Sequence, residues 1–263
     1  MKLAVLGCGN MAQALVVGMA KGDKSLEIFT YTPSFNRAND LALLVKGKAF
    51  QNCEDMPPAD IYLVACKPQQ LDVLASSFSG LMDSEATVIS ILAGTTVDTI
   101  KNKFKVKKVI RVMPNTPCLV GAGVNAVYFC PEVDGQIAFK VQALLEKTSS
   151  VYVFDEENQI DAVTPFSGSG PAYLFELARI MADKLKGLGI DPHDSEMIVK
   201  ETLYGSAKLL RESNDSAEVL RNNVTSKGGV TFEALKVLES NDLSGIFGKA
   251  LDQAHNRAKE LSK

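Results

Sequence analysis

Two stretches near opposite ends of the chain have residue types and spacing suited to holding negative charge. The first is Gly7-Cys8-Gly9-Asn10-Met11-Ala12. Gly7 permits a tight turn, Gly9 lets the backbone approach an anion, and Ala12 is small enough for close packing beneath the turn. The second is Val224-Thr225-Ser226-Lys227-Gly228-Gly229-Val230-Thr231. It opens a helical pattern, and Ser226, Gly228, Gly229, Val230 and Thr231 offer N–H and hydroxyl donors at the positive end of that helix. A carboxylate suits such a site. A third stretch, Ser167-Gly168-Ser169-Gly170-Pro171-Ala172-Tyr173, also begins a helix, with Pro171 in the first turn and free donors on its serines and glycines. Ser and Gly are also ordinary cap residues, so one such loop means capping. Two in one chain read as a substrate cradle.

These groups need elements to hold them. Lys2–Leu6 reads as a buried strand, and 11–20 as a helix with apolar Met11, Leu15, Val16 and Met19. Strand, glycine turn and helix together hold a pyrophosphate at a helix N-terminus. Gly7, Gly9, Asn10, Met11 and Ala12 are therefore expected to contact a dinucleotide. The next strand, 26–31, ends in Tyr31-Thr32-Pro33-Ser34, followed by Asn36 and Arg37. No carboxylate stands there to accept from a ribose 2′-OH. Thr32, Ser34 and Arg37 suit a 2′-phosphate instead, although Thr-Pro-Ser is also good turn chemistry. NADP is favoured over NAD, with both open.

The run 61–66 is apolar without interruption, as in a central parallel strand covered on both faces, and it ends in Lys67-Pro68. Lys67 marks either the ligand-binding edge of the sheet or a solvated strand end. A strand over 87–92 leads to Ala93-Gly94, small enough for a nicotinamide ribose to approach. A strand over 107–112 leads to Met113-Pro114-Asn115-Thr116-Pro117, a loop stiffened by two prolines. Strands and helices alternate as far as 151–154, which predicts a Rossmann-type doubly wound parallel sheet over 1–155. Beyond Asp155 the pattern is helical only, over 170–188, 194–211, 230–238 and 243–261. An all-α domain over 156–263 follows, its long apolar helices buried in a dimer interface or in a self-contained bundle.

The 263 residues carry a net charge of −3, and no basic field favours nucleic acid or an anionic membrane. No apolar run reaches the ~18 residues of a membrane span. Gly7, Gly9, Asn10 and Gln13 interrupt what would otherwise resemble a signal peptide. Cys8, Cys53, Cys66, Cys118 and Cys130 are scattered with no C-x-x-C pair, so neither a disulfide framework nor a metal site is expected, and a reducing cytoplasm fits. His193 and His255 are the only histidines, which limits histidine catalysis.

The chain resembles the pyrroline-5-carboxylate reductase family. The matching pieces are 7–12, 31–34, Cys66-Lys67-Pro68, 113–117, 167–173, and 224–231 followed by Ala234-Leu235, in the family's order from end to end. The resemblance implies reduction of 1-pyrroline-5-carboxylate to L-proline with NADPH or NADH, the last step of proline biosynthesis. It implies a homodimer of interlocked helical domains, with the substrate where that dimer meets the nucleotide domain. It also implies that Thr231 hydrogen-bonds the ring nitrogen and that Ser226, Gly229 and Val230 bind the carboxylate. Asn52, Lys67, Ala93 and Pro114 match cofactor contacts, and Asn223 lies near one. The sequence departs at Lys227, where most relatives have proline. Two rival readings stay open. One is a related imine or β-hydroxyacid oxidoreductase, with Lys200 as its lysine. The other is a non-catalytic dinucleotide sensor.

Overall fold

The computed structural model describes residues 1–262. They form two compact units: Met1–Pro171 with the segment from Ala254 onward, and Ala172–Gln253.

The first unit is built on strands β1 (Lys2–Leu6), β2 (Glu27–Tyr31), β3 (Lys48–Phe50), β4 (Ile61–Val64), β5 (Thr87–Ser90), β6 (Lys108–Met113), β7 (Gly123–Phe129) and β8 (Ser149–Val153). They make one sheet in the order β3-β2-β1-β4-β5-β6-β7-β8. Side chains alternate between faces with period two. Leu3 and Val5 of β1 therefore enter one core layer, and Ala4 and Leu6 the other. The first layer packs on α1 (Asn10–Gly22), α2 (Phe35–Val45) and α5 (Gly135–Leu145). The second packs on α3 (Leu71–Ser77) and α4 (Val97–Phe104). Covering both faces is why β4 is buried at every position and reads as an unbroken apolar run.

The doubly wound sheet is parallel as far as β6 and has one antiparallel pair beyond it. Strands β1 to β6 pair in parallel, but β7 runs antiparallel to β6, with β8 parallel to β7. A parallel crossover needs about a dozen residues or more. Between β6 and β7 there is only a loop with the 3₁₀ turn Thr116–Val120, so the chain must turn back.

The domain boundary expected at residue 155 marks the end of the sheet, whereas the compact unit continues. A short helix, α6 (Asn158–Val163), buries Ile160 against Met113 and Ala126. It also brings charge to Arg111, which is 1% exposed on β6. Arg111 Nη1 donates to Glu157 at 3.0 Å and Nη2 to Asp161 at 2.6 Å. A π-helical turn, Thr164–Gly168, then leads into α7 (Gly170–Lys186).

The second unit holds the rest of α7, α8 (Pro192–Glu212), α9 (Ala217–Asn223), α10 (Val230–Ser240) and α11 (Leu243–Leu261) as far as Gln253. Tyr173 and Phe247 meet edge to face at 5.7 Å. Yet Phe175, Tyr204 and Ile246 are each at least 60% exposed, and on α7 and α8 Leu174, Ile180 and Ile198 are exposed too. Apolar surface on this scale marks an interface. Among the described residues no helix is long and apolar enough to cross a membrane.

Candidate functional site

The strand order reverses between β2-β1 and β4, which opens a crevice beyond their C-terminal ends. A cavity of about 470 Å³ fills it, with Gly7, Gly9, Thr32, Ser34, Arg37 and Lys67 in its wall. Register explains why: Leu6 pairs with both Tyr31 and Val64, so the residues that follow all three strands meet at one edge. Gly7 has φ +101°, and a Cβ there would lie 2.7 Å from the backbone carbon of Ala65 and the nitrogen of Cys66. At Gly9 an added Cβ would touch nothing within 4 Å, so its face is open to the cavity. The first helical bond of α1 runs from Gln13 N to Gly9 O at 2.9 Å. The N–H groups of Asn10, Met11 and Ala12 therefore have no partner within the helix. Asn10 lines an adjoining hollow of about 160 Å³ together with Gly9 and Arg37. Ala12 is 1% exposed and serves packing.

Side-chain caps close some helix starts and leave others open. The side chains of Thr96, Asp134, Asp191 and Ser216 accept from first-turn N–H groups and close α4, α5, α8 and α9. No side chain caps α1, α2 or α10, whose N-caps are Gly9, Ser34 and Gly229, nor α3 or α6. Ser34 does not cap α2 with its side chain, although its carbonyl accepts from Arg37 N at 3.0 Å. Its hydroxyl and Arg37, in the first turn of α2, both line the cavity. In the second unit, Gly229 N donates to Ser226 O at 2.9 Å, and Glu233 N makes the first α10 bond, to Gly229 O at 3.2 Å. The N–H groups of Val230, Thr231 and Phe232 are left open. Val230 is 91% exposed, Ser226, Lys227 and Gly228 are exposed, and Thr231 is half-buried.

Other expected site residues lie outside the cavity wall. Asn52, after β3, donates to Asp55 at 3.0 Å. Ala93 is exposed after β5, and Pro114 is buried after β6. Asn223 ends α9 in the second unit and is exposed. The stretch 167–173 is less free than its composition implies. Ser167 donates its hydroxyl to Val163 O at 3.3 Å, Ser169 N bonds Thr164 O at 3.0 Å, and Ser167 O accepts from Asn115 Nδ2 at 3.0 Å. The π-helical turn consumes these donors, and sequence spacing gave no sign of it. Lys200 is solvated, 3.8 Å from Glu196 one turn away on α8.

The cavity wall also contains Cys8, Tyr31, Cys66, Gln70 and Val73, none of which the sequence reading assigned to the cofactor. The signal was the register of β1 with its neighbours, which is not local in sequence. Burial pushes the Cys8 thiol up to about 12, and burial pushes Cys66 up to about 11. Both are neutral at physiological pH, so the floor of the cavity carries no negative charge to repel phosphates.

A doubly wound sheet with an open helix N-terminus at its switch point, followed by a helical unit rich in exposed apolar surface, defines a dinucleotide-dependent oxidoreductase of two-unit architecture. Residues 2–94 match the family of coenzyme F420-dependent NADP oxidoreductases, and residues 157–261 match pyrroline-5-carboxylate reductase dimerisation. The chain is 32% identical to the pyrroline-5-carboxylate reductase of Haemophilus influenzae over 98% of its own length and 97% of that protein's. A solved pyrroline-5-carboxylate reductase from Coxiella burnetii superposes with a TM-score of 0.88 at 31% identity, covering 99% of this chain and 98% of that one. The Plasmodium falciparum pyrroline carboxylate reductase, solved with NADP bound, also gives 0.88, at 26% identity, covering 100% and 98%. The chain belongs to the pyrroline-5-carboxylate reductase family.

Proposed function

We propose that this chain catalyses the NADPH-dependent reduction of 1-pyrroline-5-carboxylate to L-proline, the last step of proline biosynthesis, with NADH as an alternative donor. The observation that carries this reading is the crevice at the strand switch, walled by Gly7, Gly9, Thr32, Ser34, Arg37 and Lys67; three helix starts, at Gly9, Ser34 and Gly229, accompany it. Each answers one anion: a pyrophosphate at α1, a 2′-phosphate at α2, and a substrate carboxylate at α10.

The residues around the crevice fit the cofactor, with Gly7, Gly9, Asn10, Met11 and Ala12 at the pyrophosphate and Thr32, Ser34 and Arg37 at the 2′-phosphate. Lys67, Asn52, Ala93, Pro114 and Asn223 complete the proposed contacts. NADPH, when bound, supplies the hydride. The carboxylate sits at Ser226, Gly228, Gly229 and Val230, with the Ser226 hydroxyl and the N–H groups of Gly228 and Val230 as donors, while the Gly229 N–H shapes the loop by donating to Ser226 O. Thr231 hydrogen-bonds the ring nitrogen and orients the imine. An imine nitrogen is basic enough to arrive protonated, so the loop needs no strong acid, and none of its residues is one. Lys227 adds a cation beside the carboxylate.

The working form is at least a homodimer that buries the exposed faces of α7 and α8. The dimerisation family matched over residues 157–261 supports this. Five free thiols support a cytoplasmic location.

A cofactor-oxidation assay with 1-pyrroline-5-carboxylate, run with NADPH and NADH in parallel, tests the reading. A flat trace with both overturns it. Thr231→Ala is expected to lower kcat about tenfold or more with NADPH affinity unchanged, from the loss of one hydrogen bond to a charged ring. Near wild-type turnover would remove Thr231 from the mechanism. Arg37→Ala is expected to raise the KM for NADPH about tenfold while leaving that for NADH within about twofold. Equal losses with both cofactors would contradict a 2′-phosphate site.

A further inference from the structure

The end of α11 returns to the first unit and completes the cluster around Arg111. Ser262 Oγ donates to Asp161 Oδ1 at 2.7 Å and accepts from Arg111 Nη2 at 3.3 Å. Asp161 in turn holds Arg111, and Glu157 Oε1 accepts both from Arg111 and from the backbone N–H of Val97 at 2.8 Å. Val97 is the first residue of α4, directly after the loop 93–96. That loop is also held from above. Gly94 has φ +66°, and a Cβ on it would lie 2.9 Å from the carbonyl carbon and oxygen of Leu261. Leu261 and Ser262 thus lean on the same loop from two sides, one through contact and one through the Asp161–Arg111–Glu157 chain. Arg111 is also two residues before Met113, where β6 gives way to the Pro114 loop.

We infer that Leu261 and Ser262 are positioning residues for the nicotinamide side of the cofactor site. The inference rests on the proposed cofactor contacts at Ala93 and Pro114. A glycine in the left-handed region has no side chain with which to anchor its own loop. Leu261 at Gly94 and Glu157 at Val97 therefore add to the Thr96 cap of α4 in fixing the position of 93–96. Neither Leu261 nor Ser262 lines the nucleotide cavity, so their influence is indirect.

The test compares wild type, Ser262→Ala and Ser262→Thr in the full chain. NADPH affinity is read by fluorescence titration and loop order by hydrogen exchange. Ser262→Ala is expected to weaken NADPH binding about threefold to tenfold, the loss of one charge-assisted hydrogen bond acting through the loop. Exchange should quicken at 93–99 and stay unchanged at 7–15. Ser262→Thr, which keeps the hydroxyl, should restore both. A Ser262→Ala chain with a lower Tm but wild-type NADPH affinity and wild-type exchange at 93–99 overturns the inference, leaving Ser262 a purely structural residue. A wild-type chain that binds no NADPH overturns the functional reading and the inference together.

Discussion

Gly7→Ala is expected to lower NADPH affinity about 100-fold. Two effects act together. A non-glycine residue at φ +101° carries about 1–3 kcal/mol of strain. Its Cβ would also meet main-chain atoms of Ala65 and Cys66 at 2.7 Å, and backbone cannot move aside as a flexible side chain can. Relief requires β1 and β4 to part at their C-terminal ends, where the nucleotide cavity lies. Gly9→Ala is the control. Its φ of −80° suits any residue, and its Cβ meets no protein atom, so the fold should keep its Tm. The added methyl instead occupies space that the pyrophosphate needs, and affinity should fall about tenfold, the effect of ~1.4 kcal/mol. Titration of both variants, with circular dichroism to confirm folding, reads the difference. Wild-type affinity in a folded Gly7→Ala chain would remove the glycine turn from the cofactor site.

Arg111→Met should destabilise the first unit by about 3–5 kcal/mol, the usual cost of deleting one partner of a buried ion pair. Asp161 and Glu157, with side chains 11% and 25% exposed, would lose the cation between them. The attraction itself explains little of this, because burying the ions offsets much of it. The cost arises from carboxylates left without a partner. Replacing both members should therefore recover stability: Arg111→Met with Asp161→Leu is expected to lie closer to wild type than Arg111→Met alone. Urea unfolding midpoints decide it. A loss below about 1 kcal/mol for the single variant would mean that the cluster contributes as weakly as a surface pair.

The candidate chemistry that the sequence offers is carried by contiguous residues. The turn at Gly7, the absence of a carboxylate after Tyr31 and the loop at Ser226 each lie within a few residues, and local periodicity set the helices behind them. The structure brings six of the expected cofactor residues to one cavity. Features that depend on pairing between distant strands were not legible. Tyr31, Gln70 and Val73 reach the cavity through the β2-β1-β4 register. The reversal of β7 follows from loop length. Helix α6 reads Asn-Gln-Ile-Asp-Ala-Val and has no apolar stripe. Asn52, Pro114 and Asn223 came from family resemblance alone, and the cavity wall contains none of them, nor Ala93.

The bond between Arg111 and Ser262 spans 151 residues. Translation runs from the N-terminus at ~5–20 residues per second, so the sheet is made several seconds before Ser262. During that interval the nascent sheet can pair its strands, but Asp161 lacks the Ser262 hydroxyl and Gly94 lacks its cover. The β5–α4 loop thus gains the support of Leu261 and Ser262 only after α11 has been made.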